Sequence, residues 1–190
     1  MKKVVFSLFA LAAMGLSANA QQVVKFGPKA GVNFTTLSGM EDSTMKVGFH
    51  VGAFAEIFFT DKFALQPELL YSSQGVKYSQ ILIPTGTEEV KANYDFINIP
   101  IMAKYYVING LAVEAGPYVG FLMKAEQDSS DVKDTMNSVD FGLGLGASYS
   151  LDNGFFAGAR YNLGLSDLQK DNEGDAVKNG VIQISVGYKF

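Results

Sequence analysis

Val139-Asp140-Phe141-Gly142-Leu143-Gly144-Leu145-Gly146-Ala147-Ser148-Tyr149-Ser150-Leu151 alternates without a break, apolar residues, all but Ala147 large, on the odd positions and Asp, Gly or Ser on the even ones. A period of two is that of a β-strand, whose successive side chains point to opposite faces, and no helical period fits. The sizes on the two faces say more than the alternation does. A water-soluble barrel, such as a lipocalin or an avidin, would carry many Lys and Glu outside, and glycine would weaken that wall without benefit. In an eight-stranded barrel the interior is just wide enough to be filled by side chains. The bare face therefore suits a crowded lumen, and the face of Phe, Leu and Tyr suits lipid.

Working outward, the same alternation recurs seven times. Toward the N-terminus it runs through Val24 to Phe34, Val47 to Ile57, Phe63 to Tyr71, Ile97 to Tyr105 and Leu111 to Phe121; toward the C-terminus through Ala157 to Gly164 and Ile182 to Phe190. Thr60-Asp61-Lys62, Ile108-Asn109-Gly110 and Asp152-Asn153-Gly154 are tight connections, and Asn-Gly is the strongest short hairpin signal. The remaining connections, around Ser38 to Thr44, Val76 to Lys91, Ala125 to Ser138 and Ser166 to Lys178, read as long polar loops. Short turns at one end and long loops at the other mark outer-membrane barrels, whose strands need about 9 to 11 residues to cross the hydrocarbon. The expected fold is all-β, an eight-stranded antiparallel up-and-down transmembrane barrel. Phe59, Phe63, Tyr105, Phe155 and Tyr188 fall near the short-turn end, as one aromatic girdle, with Phe34, Phe49, Tyr71 and Phe141 toward the other.

The chain has 190 residues, 20 Gly, no Cys and a formal charge of −4. One domain is expected, without disulfides, a thiolate metal site or a lipid anchor on cysteine. An acidic balance argues against nucleic acid as a partner. Lys2 and Lys3, the apolar run Val4 to Leu16 and the small residues Ala18-Asn19-Ala20 read as a secretory signal at residues 1–20, leaving a barrel domain at 21–190 that begins at Gln21. That apolar run is shorter than the roughly 20 residues of a spanning helix.

Catalytic chemistry finds little support. His50 is the only histidine, so a multi-histidine metal site is excluded, and its expected place is as a polar residue facing the lumen. Gly142 to Gly146 lies within a strand and lacks the helix N-terminus that a phosphate loop needs. Glu41, Asp42, Glu88, Glu89, Asp128, Asp131, Asp134, Asp171, Glu173 and Asp175 make the long loops acidic, which keeps them solvated; bridging of divalent cations is the alternative. No cofactor is expected. Counted from the nearest short turn, Glu56, Glu68, Lys104, Glu114 and Arg160 fall at comparable heights, about 4 to 8 residues in, and alternation aims each inward. Three carboxylates are then expected to face two cations as a salt-bridged plug, with a gate or proton relay as the functional alternative. Lys104 and Glu114, nearly symmetric about Asn109-Gly110, are expected to be cross-strand partners.

Gly27 to Phe34 (GPKAGVNF), Phe63 to Tyr71 (FALQPELLY), Ile97 to Pro100 (INIP), Glu114 to Tyr118 (EAGPY) and Arg160 to Gly164 (RYNLG) together resemble the PorT-type outer-membrane β-barrel proteins of Bacteroidetes-like bacteria. The resemblance extends over nearly the whole chain after the leader. It implies fold and location, an integral protein of the outer membrane in contact with its lipid, and it supplies no catalytic residues. Tyr188 and the terminal Phe190 look like the C-terminal signal read by barrel-assembly machinery. The expected role is structural, or the engagement of an envelope or surface protein by the exposed loops. A narrow porin-like channel and a lipid-modifying barrel enzyme are the alternatives.

Overall fold

A computed structural model describes residues 23–38, 43–82, 86–127, 130–170 and 176–190. The expected signal and its cleavage point lie outside these residues. Eight long strands account for most of what is described: β1 (Val24–Ser38), β2 (Ser43–Phe58), β3 (Phe63–Leu82), β4 (Gly86–Ile108), β5 (Leu111–Gln127), β6 (Val139–Ser150), β7 (Phe155–Gly164) and β8 (Lys178–Tyr188). Each pairs antiparallel with the next, and β8 pairs back onto β1 from Lys29 opposite Gly187 to Ser38 opposite Lys178. The sheet is thus a closed eight-stranded barrel. A two-residue rung, Ser130–Asp131, and a short 3-10 turn, Lys133–Thr135, stand between β5 and β6.

Closure removes both sheet edges, so the wall satisfies its own backbone groups, the condition for a sheet to stand in lipid. The outer face is apolar from β1 round to β8: Val32, Phe49, Ile101, Phe141, Leu145 and Ile184 all point away from the barrel and are exposed. Lys29, Asn33, His50, Glu68, Lys104 and Arg160 are buried inside it. Apolar outside and charged inside inverts the order of a water-soluble protein and fits a wall surrounded by hydrocarbon. No helix among the described residues is long and apolar enough to cross a membrane; the strands cross instead.

The short turns form as their residues dictate. Gly110 (φ +82°) and Gly154 (φ +92°) occupy the left-handed region that the Asn-Gly turns require. Thr60 caps the third turn, its Oγ1 accepting the backbone N–H of Lys62 and of Phe63. Around the short-turn rim Phe59 packs on Phe63, Phe155 on Tyr188, and Tyr188 and Phe26 on Phe190. Prolines interrupt the ladders. The β3–β4 rungs skip from Pro67 opposite Ile101 to Leu70 opposite Asn98, and the β4–β5 rungs from Pro100 opposite Tyr118 to Ala103 opposite Ala115, because Pro67, Pro100 and Pro117 have no N–H to give.

One expected loop is a correction. Val76 to Lys91 is mostly strand, since β3 and β4 stay paired from Val76 opposite Ala92 out to Leu82 opposite Gly86. Backbone pairing needs no alternation of side-chain character, so a polar stretch without a clear period of two reads as a loop while its backbone pairs.

Glycine on β6 is required by space. A Cβ on Gly146 would stand 2.5 Å from the carbonyl oxygen of Ala159 and 3.0 Å from the Arg160 Cα, whereas one on Gly158 would meet nothing closer than 3.1 Å. Gly146→Ala should therefore lower the unfolding free energy of the lipid-embedded barrel by about 1–3 kcal/mol, through forced backbone movement. Gly158→Ala should change it by less than about 1 kcal/mol, because lost backbone entropy in the unfolded chain offsets the tighter contact. Urea titration of both variants checks the contrast, and equal losses would contradict it.

Candidate functional site

The lumen near the short turns holds one connected series of ion pairs. Lys189, directly after β8, pairs with Glu56 of β2 at 2.6 Å, and Glu56 with Lys104 of β4 at 3.3 Å. Lys104 stands 3.8 Å from Glu114 of β5, which accepts from Arg160 Nε of β7 at 2.7 Å. Arg160 then grips both oxygens of Glu68 on β3, at 3.0 and 2.6 Å, and Glu68 also meets Lys29 of β1 at 3.1 Å. The order is strictly alternating in sign: Lys189, Glu56, Lys104, Glu114, Arg160, Glu68, Lys29. Burial of an ion costs several kcal/mol unless it is paired and hydrogen-bonded, and the two-pronged Arg160–Glu68 contact is the strongest kind available.

Neutral groups brace the series. Gln66 donates to Glu68 at 2.7 Å and accepts from Lys104 at 3.1 Å, while Tyr106 donates to Glu56 at 2.6 Å and accepts from Lys189 at 2.9 Å. The ammonium groups of Lys104 and Lys189 each lie within 6.0 Å of the ring centres of Tyr106 and Phe156. Strand β6 supplies no charge to this series. Its glycines give the arginine room: a Cβ on Gly144 would lie 3.3 Å from Arg160 Cδ.

All five charged residues singled out from the sequence lie here, and Lys104 and Glu114 face each other across the β4–β5 ladder. The expected ratio of three carboxylates to two cations is a correction: Lys29 and Lys189 make the cations four. Both lysines fall on the lumen parity of their strands, but height is legible only where a short turn stands nearby. β1 and β8 are joined by no turn, so nothing in the sequence sets their level.

Above this series the lumen is polar and uncharged around His50. The ring's Nδ1 meets Asn33 Oδ1 at 2.7 Å and its Nε2 meets Ser185 Oγ at 2.9 Å. Asn33 also donates to Ser72 at 3.0 Å. Ser185, 135 residues away in the sequence, thus stands beside His50 in the serine–histidine–amide order of a hydrolase triad. Ser185, His50 and Asn33 are nevertheless all buried within the filled barrel. Higher still, Asp140 receives Ser166 at 2.6 Å, Tyr118 at 3.1 Å and Asn179 at 3.3 Å.

The end with long connections is closed by an apolar cap that no alternation announces. Leu37, Val76, Tyr94, Phe96, Leu122 and Ala125 from the wall pack against Met136, Leu168 and Val177 from the connections. Backbone bonds fold those connections inward: Asn137 N to Leu168 O, Lys170 N to Thr135 O and Leu168 N to Val177 O. Asp167 Oδ1 accepts from the N–H of Gln169 and of Val177. Of the acidic loop residues, Asp131 accepts the N–H of Lys133. Glu41, Asp42, Asp128, Asp171, Glu173 and Asp175 lie outside the described residues, as do the side chains of Glu88 and Glu89. Among the described residues no three His, Asp or Glu side chains gather as a metal site.

A closed barrel with an apolar outer wall and a charged, filled lumen is an integral β-barrel protein of a membrane. The family described as outer membrane protein beta-barrel domain matches residues 19–170, and the chain belongs to it; its membrane is the outer membrane. No curated protein matches the chain in sequence. Among solved structures it is similar to neisserial surface protein A, at 17% identity and a TM-score of 0.56, over 90% of this chain and 99% of that one. It is similar as well to Ail, the attachment invasion locus protein of Yersinia pestis, solved with the heparin analogue sucrose octasulfate, at 15% identity and a TM-score of 0.51, over 88% and 99% of the two chains. At these identities the likeness is one of fold.

Among the described residues Arg160 alone is bonded to two carboxylates through three separate N–H groups. Its replacement by alanine leaves Glu68 and Glu114 short of partners in a closed space. Arg160→Ala should lower stability by about 3–5 kcal/mol, less where water enters the vacated volume. Thermal unfolding of the detergent-solubilised barrel, followed by loss of its β-sheet signal, checks this; an unchanged midpoint would contradict it.

Proposed function

We propose that the protein is a sealed, non-catalytic PorT-type barrel that serves the envelope as a rigid body and presents its long connections to a partner. The observation that carries this reading is the double closure of the lumen. Seven alternating charges fill the short-turn half, and the apolar cap fills the other end. Two fillings of opposite character oppose a continuous aqueous path for a solute, which argues against the porin-like alternative. Among the described residues the His50–Ser185 contact alone favours a lipid-modifying enzyme, and it lies inside the wall, away from the lipid that such an enzyme would attack.

The rest follows from the resemblance and the asymmetry of the two ends. The leader at residues 1–20 directs export and is removed before Gln21. Tyr188 and Phe190 guide insertion by the barrel-assembly machinery; their rings pack together on the outer rim beside Phe26, where a membrane-bound assembly factor reaches them. The long connections face the cell exterior, and the paired β3–β4 ribbon among them is the natural contact for an envelope or surface protein.

Planar-bilayer recording of the purified barrel tests the sealed reading. No reproducible open states should appear, and none should appear in Leu168→Ser, because the charged half remains closed when the cap is weakened. Stable unitary currents in the native protein would replace this reading with the channel.

A further inference from the structure

Inside the apolar cap lies a partly enclosed cavity of about 90 Å³, lined by Leu37, Met136, Leu168 and Val177 together with Tyr94 and Val132, and by Gln127, Thr135 and Gln169. Its two kinds of lining differ in burial. Leu37, Met136, Leu168 and Val177 are each 5% exposed or less, whereas Thr135 is exposed and Gln127 and Gln169 are half-buried. The apolar part is therefore the deep end and the polar part is the mouth. Among the described residues no charged side chain lines either.

From this arrangement we propose that the cavity is a binding site for the tail of a short, uncharged alkyl amphiphile, an aliphatic alcohol being the simplest. The size sets the tail length: a dry apolar cavity of about 150 Å³ holds a benzene ring, so one of about 90 Å³ has room for three or four carbons. A space of this kind lined by leucine, valine and methionine gains more from an alkyl segment than from water, which would find too few hydrogen-bond partners at the deep end. Methionine adapts its shape to a guest, and Met136 stands in the wall. The Thr135 hydroxyl donates to Val132 O at 2.7 Å, which leaves its oxygen free to accept from the guest's hydroxyl. A carboxylate in the same place would bury charge with no cation in the lining. The site is separate from the ion-pair series and does not depend on whether the barrel conducts.

The test is methyl NMR of the mature protein in lipid nanodiscs, with labelled methionine methyls, titrated with 1-propanol, 1-butanol, 1-hexanol and butyrate. Met102, fully buried in the lumen, and Met123, 54% exposed on the outer wall, are internal controls, the second for alcohol dissolved in the lipid. The Met136 signal should shift along a saturating curve in the millimolar range while Met102 stays fixed. Affinity should rise about fourfold from propanol to butanol, the worth of one methylene, and level off by hexanol because the added carbons stay outside. Butyrate should bind at least tenfold more weakly than butanol, and Val177→Phe, which fills the cavity, should weaken butanol at least tenfold. An unmoved Met136, a response parallel to Met123 with every added methylene, or equal binding of butyrate would overturn the proposal. Should Val177→Phe fail to migrate as a folded barrel on unheated gels, the chain-length series on the native protein decides alone.

Discussion

Pairing of buried charge is the constraint on which this structure rests. Seven ions inside a narrow barrel are tolerable only while each has partners of opposite sign, and most of those partners are not on neighbouring strands. Only Lys104 and Glu114 sit on strands that pair directly. Glu56 and Lys104 reach over β3, Lys29 and Glu68 over β2, Arg160 and Glu114 over β6, and Arg160 and Glu68 connect β7 with β3 through the interior. Hydrogen-bond ladders fix each strand against the next. The charge series reads the barrel as a whole, because no open or partly closed sheet brings all seven ions into alternating order.

This division of labour explains the composition of the wall. Outward positions need only be apolar and of moderate size, and they are a mixture of Val, Ile, Leu, Phe and Tyr. Inward positions are specified by their neighbours. Arg160 needs Gly144 and Gly146 beside it, and Glu68 needs Gln66 to occupy the lone pair that its cations leave. Lys29, Glu68, Glu114 and Arg160 each lie in one of the segments that carry the resemblance to PorT-type proteins. Those segments are thus the ones that meet at the centre of the lumen. At the opposite end a different force does the closing, since Met136, Leu168 and Val177 leave water by folding onto the wall.

The strands of the bilayer-height wall were legible because two unlike environments, lipid and lumen, print a period of two on the sequence. Strand β6 shows this most clearly, bare inside and apolar outside. Legibility failed where that contrast ends. The β3–β4 ribbon past Val76 reads as a loop because its sequence is polar without a clear period of two, although its backbone pairs. The cap residues Met136 and Leu168 stand alone in polar connections, and only tertiary folding gives them a shared core. Within the site, Glu56, Glu68, Lys104, Glu114 and Arg160 could be levelled from nearby turns. Lys29 and Lys189 could not, since the rung that sets their height joins the two ends of the barrel. The Ser185–His50 contact was out of reach for a related reason: it depends on closure of β8 on β1.

A double-mutant cycle on Glu68 and Arg160, which belong to strands on opposite sides of the barrel, tests most directly whether the charge series holds the fold. Unfolding free energies of the native protein, Glu68→Gln, Arg160→Met and the double variant would be measured by urea titration in lipid vesicles. The account predicts that the double variant is more stable than the sum of the single losses implies, by at least ~1.5 kcal/mol, because each single change strands a charge that the other removes. Losses that add to within about 0.5 kcal/mol would contradict it, and would mean that ladders and lipid hold the barrel without its charges.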